Sequence, residues 1–219
     1  MKVTERRTAI AATPPPQPAR TAAPRYPLTV GVVLWHVTMS LDGFIAGPDD
    51  AMDWVFRHAG PNPEVDATIP TIGAVLAGAH TAGVGRKGGV PEQAKSVYGG
   101  AWSAPIFVLS HRAPDDDDDD PNITYLSGDI RAAVASARDA AGGRDLLVLG
   151  ADVARQCVAA GLIDEILVHV APLLLGDGVR LFGGPGVAPV ELETVSVSEA
   201  GQIANLRYRV VRTGRRGRP

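Results

Sequence analysis

Short apolar runs of strand length alternate with helix-patterned segments through most of this 219-residue chain, and the alternation ends in two runs with no helix between them. Expected strands are Gly31 to Val37, Ile72 to Ala77, Ile106 to Leu109, Ile123 to Leu126, Leu146 to Leu149, Glu165 to Ala171, Val190 to Val197 and Ile203 to Val211. Expected helices are Asp50 to His58, Ile130 to Ala141 and Val153 to Ala160. Asp129 is placed to cap the second, which closes at Gly142 and Gly143, and Asp152 to cap the third, which closes at Gly161. Strands separated by helices need crossover connections and so pair in parallel, whereas Ser198 to Gln202 joins the last two as a hairpin. The expectation is an α/β protein with a mixed, mostly parallel sheet, helices beside it, and an antiparallel hairpin at its end.

A chain of 22.8 kDa with 45% hydrophobic residues can bury one good-sized core, and one domain is expected over residues 28 to 211. Met1 to Pro27 carries Pro14, Pro15, Pro16, Pro18, Pro24 and Pro27 with little large apolar matter, and reads as a disordered leader. Arg212 to Pro219 reads as a basic flexible tail. Net charge is −3, so no general basic field recruits nucleic acid. No apolar run approaches the ~20 residues needed to span a bilayer, so a soluble protein is expected. The single Cys157 excludes an internal disulfide and fits the cytoplasm. Asp115 to Asp120 lacks the spacing of a calcium loop and reads as a solvated segment.

Four segments carry chemistry. In the first, His36 to Trp54, polar Ser40 and Asp42 follow an apolar strand, and Gly43, Gly47 and Pro48 bound the apolar Phe44-Ile45-Ala46. That composition suits a wall laid over a ligand, and equally a β-turn in which Asp42 bonds its own backbone. In the second, Leu146 to Val153, a strand passes through small residues into a helix, where unpaired N–H groups can receive a phosphate. Tight strand-to-helix packing explains it nearly as well, and the carboxylate of Asp152 would compete for those donors. The third, Phe107 to Arg112, delivers Ser110, His111 and Arg112 at the carboxyl end of a strand. Ser with Arg suits a ribose 2′-phosphate, which would favour NADP over NAD, and a solvent-facing turn is the equal alternative. The fourth is Gly78-Ala79-His80-Thr81, where Thr81 could cap a helix or bond a phosphate. No histidine spacing suggests zinc and no Gly-x-Ser-x-Gly elbow is present, so no metal site is expected.

Taken together, Met39 to Gly47, Val108 to Ser110, Val148 to Gly150, and Gly161 to Glu165 running to Pro172 to Gly178 resemble the dihydrofolate reductase-like superfamily. Within it the chain is most similar to the C-terminal reductase domain of the riboflavin biosynthesis protein RibD, over roughly Val30 to Val211. The resemblance implies a three-layer dihydrofolate reductase-like fold and an NADPH-dependent reductase, usually homodimeric, passing hydride to a pyrimidine-, pterin- or carbonyl-type acceptor. By position it implies that Ala46 and Gly47 lie beside the nicotinamide and that Thr81 contacts the diphosphate. Ser110 and Arg112 would contact the adenosine phosphate, and Gly150, Ala151, Asp152 and Val153 the diphosphate from its other side. Asp42 and Trp54 would face substrate, with Leu174, Gly176 and Gly178 as the far wall; Asp42 alone among them could move a proton.

The chain departs from the family pattern where Ala79 replaces an Arg and Ala151 a Gly, which weakens the phosphate sites. The acid that folate reductases place five residues after the loop tryptophan is here Ala59, so folate reduction is not expected. The nominal substrate implied is a phosphoribosylaminouracil. The alternative is a non-catalytic or ligand-sensing relative that kept the fold after its phosphate sites decayed.

Overall fold

The computed structural model describes residues 31–84, 96–111, 120–183 and 188–212. The expected leader and most of the tail lie outside them, as do Arg112 and Asp115 to Asp119.

Eight strands form one sheet in the order β5-β4-β3-β6-β1-β7-β10-β9. The first six of these neighbours are β5 (Ile123–Leu126), β4 (Ile106–Leu109), β3 (Ile72–Gly78), β6 (Asp145–Leu149), β1 (Val33–Ser40) and β7 (Glu165–Ala171), all paired in parallel. Antiparallel β10 (Ile203–Val210) joins β7 to the edge strand β9 (Leu192–Ala200). A two-stranded ribbon of β2 (Phe44–Ala46) and β8 (Val179–Arg180) ties the loop after β1 to the loop after β7. The expected mixed, mostly parallel sheet with a terminal hairpin is what forms.

Strand periodicity assigns the two faces. Val33 and Trp35 of β1, with Ile166 and Val168 of β7, pack against α4 (Ile130–Ala141) and α5 (Ala151–Ala159). The opposite face carries Leu34, His36 and Ser40 of β1 and His169 and Ala171 of β7, and is covered by α1 (Asp53–Arg57) and α2 (Pro63–Thr68). There Trp54 is buried against Ala171 and Ile203, and Asn62 bonds Asn205.

Asp129 does cap α4, accepting from Arg131 N at 3.1 Å and Ala132 N at 3.3 Å. Other boundaries differ. The expected helix Asp50 to His58 shrinks to α1, because Asp49 and Asp50 adopt φ of 56° and 63°, which a right-handed helix cannot contain. The third helix starts at Ala151 with Gly150 as its N-cap; Asp152 lies inside the first turn, and its carboxylate pairs with Arg155 instead of capping. Strand β1 runs on to Ser40, three residues past the expected end. The hairpin turn tightens to Gly201-Gln202, since β9 ends at Ala200. Helices α2 and α3 (Ala79–Val84) span six residues each, too short for an apolar stripe to show in the sequence.

Candidate active site

In parallel sheets ligands gather at the carboxyl ends of the strands. The ends of β4, β3, β6, β1 and β7 lie side by side in that order. They carry respectively Ser110, the Gly78–Thr81 turn, Gly150, the Ser40–Gly47 loop, and the 172–180 loop.

Two of these connections are packed onto each other at the β3–β6 step. Gly150 takes φ of 86°, and a Cβ there would lie 2.2 Å from Thr81 Oγ1, so only glycine fits beneath that hydroxyl. Thr81 and Gly150, proposed from sequence as the two diphosphate contacts, are therefore neighbours. No side chain caps the start of α5, so the leading N–H groups around Ala151, Asp152 and Val153 have no acceptor from a cap. Val153 itself is buried and faces Gly78, and Ala151 is buried too. His80 Nε2 lies 2.8 Å from Asp50 Oδ1, linking the loop after β2 to the first turn of α3. Ser110 is half-buried, and its N–H donates to Leu126 O at 2.9 Å.

The loop after β1 is held by Asp42. Ser40 Oγ donates to Asp42 Oδ1 at 2.5 Å, Leu175 N donates to the same oxygen at 3.1 Å, and Gly176 N donates to Oδ2 at 2.7 Å. The Ser40 hydroxyl foremost, then the Gly176 and Leu175 amides, hold the carboxyl down at about 2, against a desolvation that opposes them. A general acid needs a pKa near the working pH. Asp42 is thus placed as an anionic clamp between two loops, which argues against the proton-moving role read from the sequence. Gly178 packs so closely on the same loop that a Cβ would sit 2.1 Å from Ala46 O. Arg180 adds a cation–π contact over Phe44, 4.4 Å from the ring centroid. Ala46, Gly47, Asp42, Gly176 and Gly178 form one assembly.

One expected substrate-facing residue, Trp54, is closed off from solvent. Trp54 is 1% exposed, its Nε1 donating to Ala51 O at 3.1 Å, so it fastens α1 to the sheet rather than lining an open site. Leu174 is 70% exposed. Arg112 lies outside the described residues.

What sequence reading missed is a set of buried polar side chains beneath α2. His36 on β1 meets His169 on β7, and Asn205 on β10 and Asn62 at the start of α2 extend the set. His169 and Asn62, with Thr38, His58, Asp66 and Ile203, line a cleft of about 200 Å³. Each histidine sits on the inward register of its own predicted strand, but their meeting depends on β1 and β7 being neighbours, which no local motif states.

Strand order, the crossover helices and the terminal hairpin define a dihydrofolate reductase-like fold. The family model of the RibD C-terminal domain matches residues 32–204, and the chain belongs to that family. It is 27% identical over 177 residues to the uncharacterized protein YwjB of Bacillus subtilis (strain 168), covering 79% of this chain and 94% of that one. Among solved structures, a protein of Shewanella sp. PV-4 assigned to riboflavin biosynthesis superposes with a TM-score of 0.66 at 23% identity, covering 83% of this chain and 99% of that one. The diaminohydroxyphosphoribosylaminopyrimidine deaminase/5-amino-6-(5-phosphoribosylamino)uracil reductase of Thermotoga maritima superposes at 0.56 and 16% identity, covering 83% of this chain and 57% of that one.

Proposed function

We propose that this oxidoreductase-family chain is an NADPH-dependent reductase of a small pyrimidine-type molecule, nominally a phosphoribosylaminouracil. The observation that carries the reading is the order of groups along one sheet edge: Ser110, then Thr81 over Gly150, then the Ala46–Gly47 loop clamped by Asp42. An extended dinucleotide needs an adenosine contact, a diphosphate contact and a nicotinamide wall in that sequence. The fit rests on the uncapped first turn of α5 and on the hydroxyl of Thr81 beside it, which together offer hydrogen-bond donors to a diphosphate.

When bound, the cofactor would supply hydride to the acceptor carbon. The chain's own residues then bind and position: Ser110 and Arg112 the 2′-phosphate, Thr81, Gly150 and the α5 amides the diphosphate, and Ala46 and Gly47 the nicotinamide wall. The Asp42 clamp keeps that wall against the Gly176–Gly178 loop. Asp42 remains ionised, so the proton that completes the reduction comes from water.

Calorimetric titration of purified protein with NADPH and NADH tests this. NADPH is expected to bind at least ~10-fold more tightly, about 1.4 kcal/mol, and Arg112→Ala is expected to erase that preference. Undetectable binding of both nucleotides would return the chain to the ligand-sensing alternative. We further propose that it forms a homodimer through the edge strand β9, where Leu192, Val195 and Val197 are 43%, 42% and 64% exposed. Light scattering should then give twice the 22.8 kDa of one chain.

A further inference from the structure

Beneath α1 and α2 runs a chain of polar groups that the reduction does not use. Tyr98 Oη lies 2.6 Å from His36 Nδ1, His36 Nε2 lies 2.5 Å from His169 Nε2, and His169 Nδ1 lies 2.6 Å from Asn205 Oδ1. The two imidazoles are 6% and 4% exposed.

The direction of every bond follows from one end. Asn62 Oδ1 accepts from the Glu64 N–H at 3.1 Å, which fixes that side of the amide as oxygen. Its Nδ2 therefore donates to Asn205 Oδ1 at 2.9 Å, while Asn205 Nδ2 donates back to Asn62 Oδ1 at 3.2 Å and to Ser198 Oγ at 3.1 Å. Asn205 thus turns its oxygen toward His169, whose Nδ1 must carry the hydrogen and whose Nε2 must accept. His36 then donates from Nε2, and its Nδ1 accepts the Tyr98 hydroxyl. The neutral rings are opposite tautomers.

An added proton has one position that leaves the other links intact, His36 Nδ1, which becomes a donor and makes Tyr98 an acceptor. The resulting charge has poor surroundings. From β10, Arg207 faces it with like charge; Glu165 of β7 and Glu64 of α2 are already bonded to Arg207 at 2.9 and 3.3 Å. Asp66 and His58 face the cleft side. Burial first, then His169 and Arg207, hold His36 well below the usual imidazole range. Burial lowers His169 as well, although Asn205 and Glu64 pull the other way. Water can relieve such a charge by entering through the cleft that His169 lines, and this requires α2 to part from β10 at Asn62–Asn205 and Glu64–Arg207.

We propose that the His36–His169 pair is a one-proton switch on the α1–α2 wall: neutral, it holds Asn62 and the wall against β10, and on protonation it releases them. The switch does not depend on the cofactor reading.

Nitrogen-15 NMR of the full chain at about pH 7.5 should find His36 protonated at Nε2 and His169 at Nδ1, both neutral. The same tautomer on both rings, or a charged ring, would overturn the proposal. Hydrogen exchange read by mass spectrometry, corrected for the intrinsic effect of pH, should show residues 53–68 losing protection by roughly 10-fold or more on going to about pH 5. Helix α4, on the opposite face, should keep its protection. Equal loss in both, or none in residues 53–68, contradicts the switch. Tyr98→Phe removes the acceptor for the incoming proton, so the release should move to lower pH by about half a unit or more. An unmoved midpoint would also overturn it.

Discussion

Along the carboxyl edge of the sheet the candidate cofactor groups are mostly backbone amides and small residues, whereas the face beneath α2 is a closed web of side chains. At the edge, Gly150 and Gly178 admit neighbours that any Cβ would meet at 2.2 and 2.1 Å, and the carboxylate of Asp42 is spent on holding loops together. Beneath α2, His36, His169 and Asn205 are nearly all buried and satisfy one another. An edge built from backbone leaves donors for a ligand; a web of mutually satisfied side chains resists change until a proton arrives. The first arrangement suits binding and the second suits stability that depends on pH.

Breaking the web should have the largest effect. His169→Leu strands the Nε2–H of His36 in a buried site and leaves Asn205 Oδ1 with Asn62 Nδ2 as its remaining donor, and one stranded buried donor costs about 1–3 kcal/mol. Denaturant unfolding should therefore find roughly 2 kcal/mol less stability, and a loss under about 1 kcal/mol would mean that the web contributes little. A related effect appears without mutation. Both imidazoles sit below their ordinary range when folded, so the unfolded chain takes up protons first as pH falls below about 6.5. Stability should be full above that pH and decline beneath it, with a slope of up to about 1.4 kcal/mol per pH unit for each ring. His36→Phe should flatten that slope; an unchanged slope would assign the acid sensitivity to other groups.

At the edge, Gly150→Ala should cost about 1–3 kcal/mol through its backbone conformation and its collision with Thr81. Thr81→Ala made in the same chain should recover part of this loss, and strict additivity of the two changes would deny that these residues touch. The smallest effect is expected from Asp42→Asn, which keeps one acceptor oxygen and removes the charge. Amides of residues 40–47 and 172–180 should exchange faster while α4 does not change; equal exchange in the variant and the parent would refute the clamp.

How much of this was legible in the sequence follows the same division. Alternating apolar runs marked the eight main strands, and Asp129 announced α4, because these signals are local and repeat. The Ser40–Gly47 loop, Thr81 and Gly150 were legible as short motifs, and the fold brings Thr81 to Gly150 and the loop to Gly178. Asp42 was visible as a carboxylate, but the loop amides it clamps, Leu175 and Gly176, lie more than 130 residues away, so its clamp role was not. Trp54 resembled a substrate contact and instead fills the gap between α1, Ala171 and Ile203. The histidine web stayed hidden for the same reason as the clamp: it joins β1, β7 and β10, whose adjacency is a property of topology and not of any one segment.

The strand-end row from Ser110 to Gly47 is the proposed NADPH site. Calorimetric titration of the parent chain and of Gly150→Val with NADPH tests it most directly, with circular dichroism to confirm that the variant folds. Saturable binding to the parent is expected, tighter than for NADH by about 10-fold, with a loss of at least about 10-fold in the folded variant. NADPH binding that is absent from the parent, or equal in parent and variant, would contradict it.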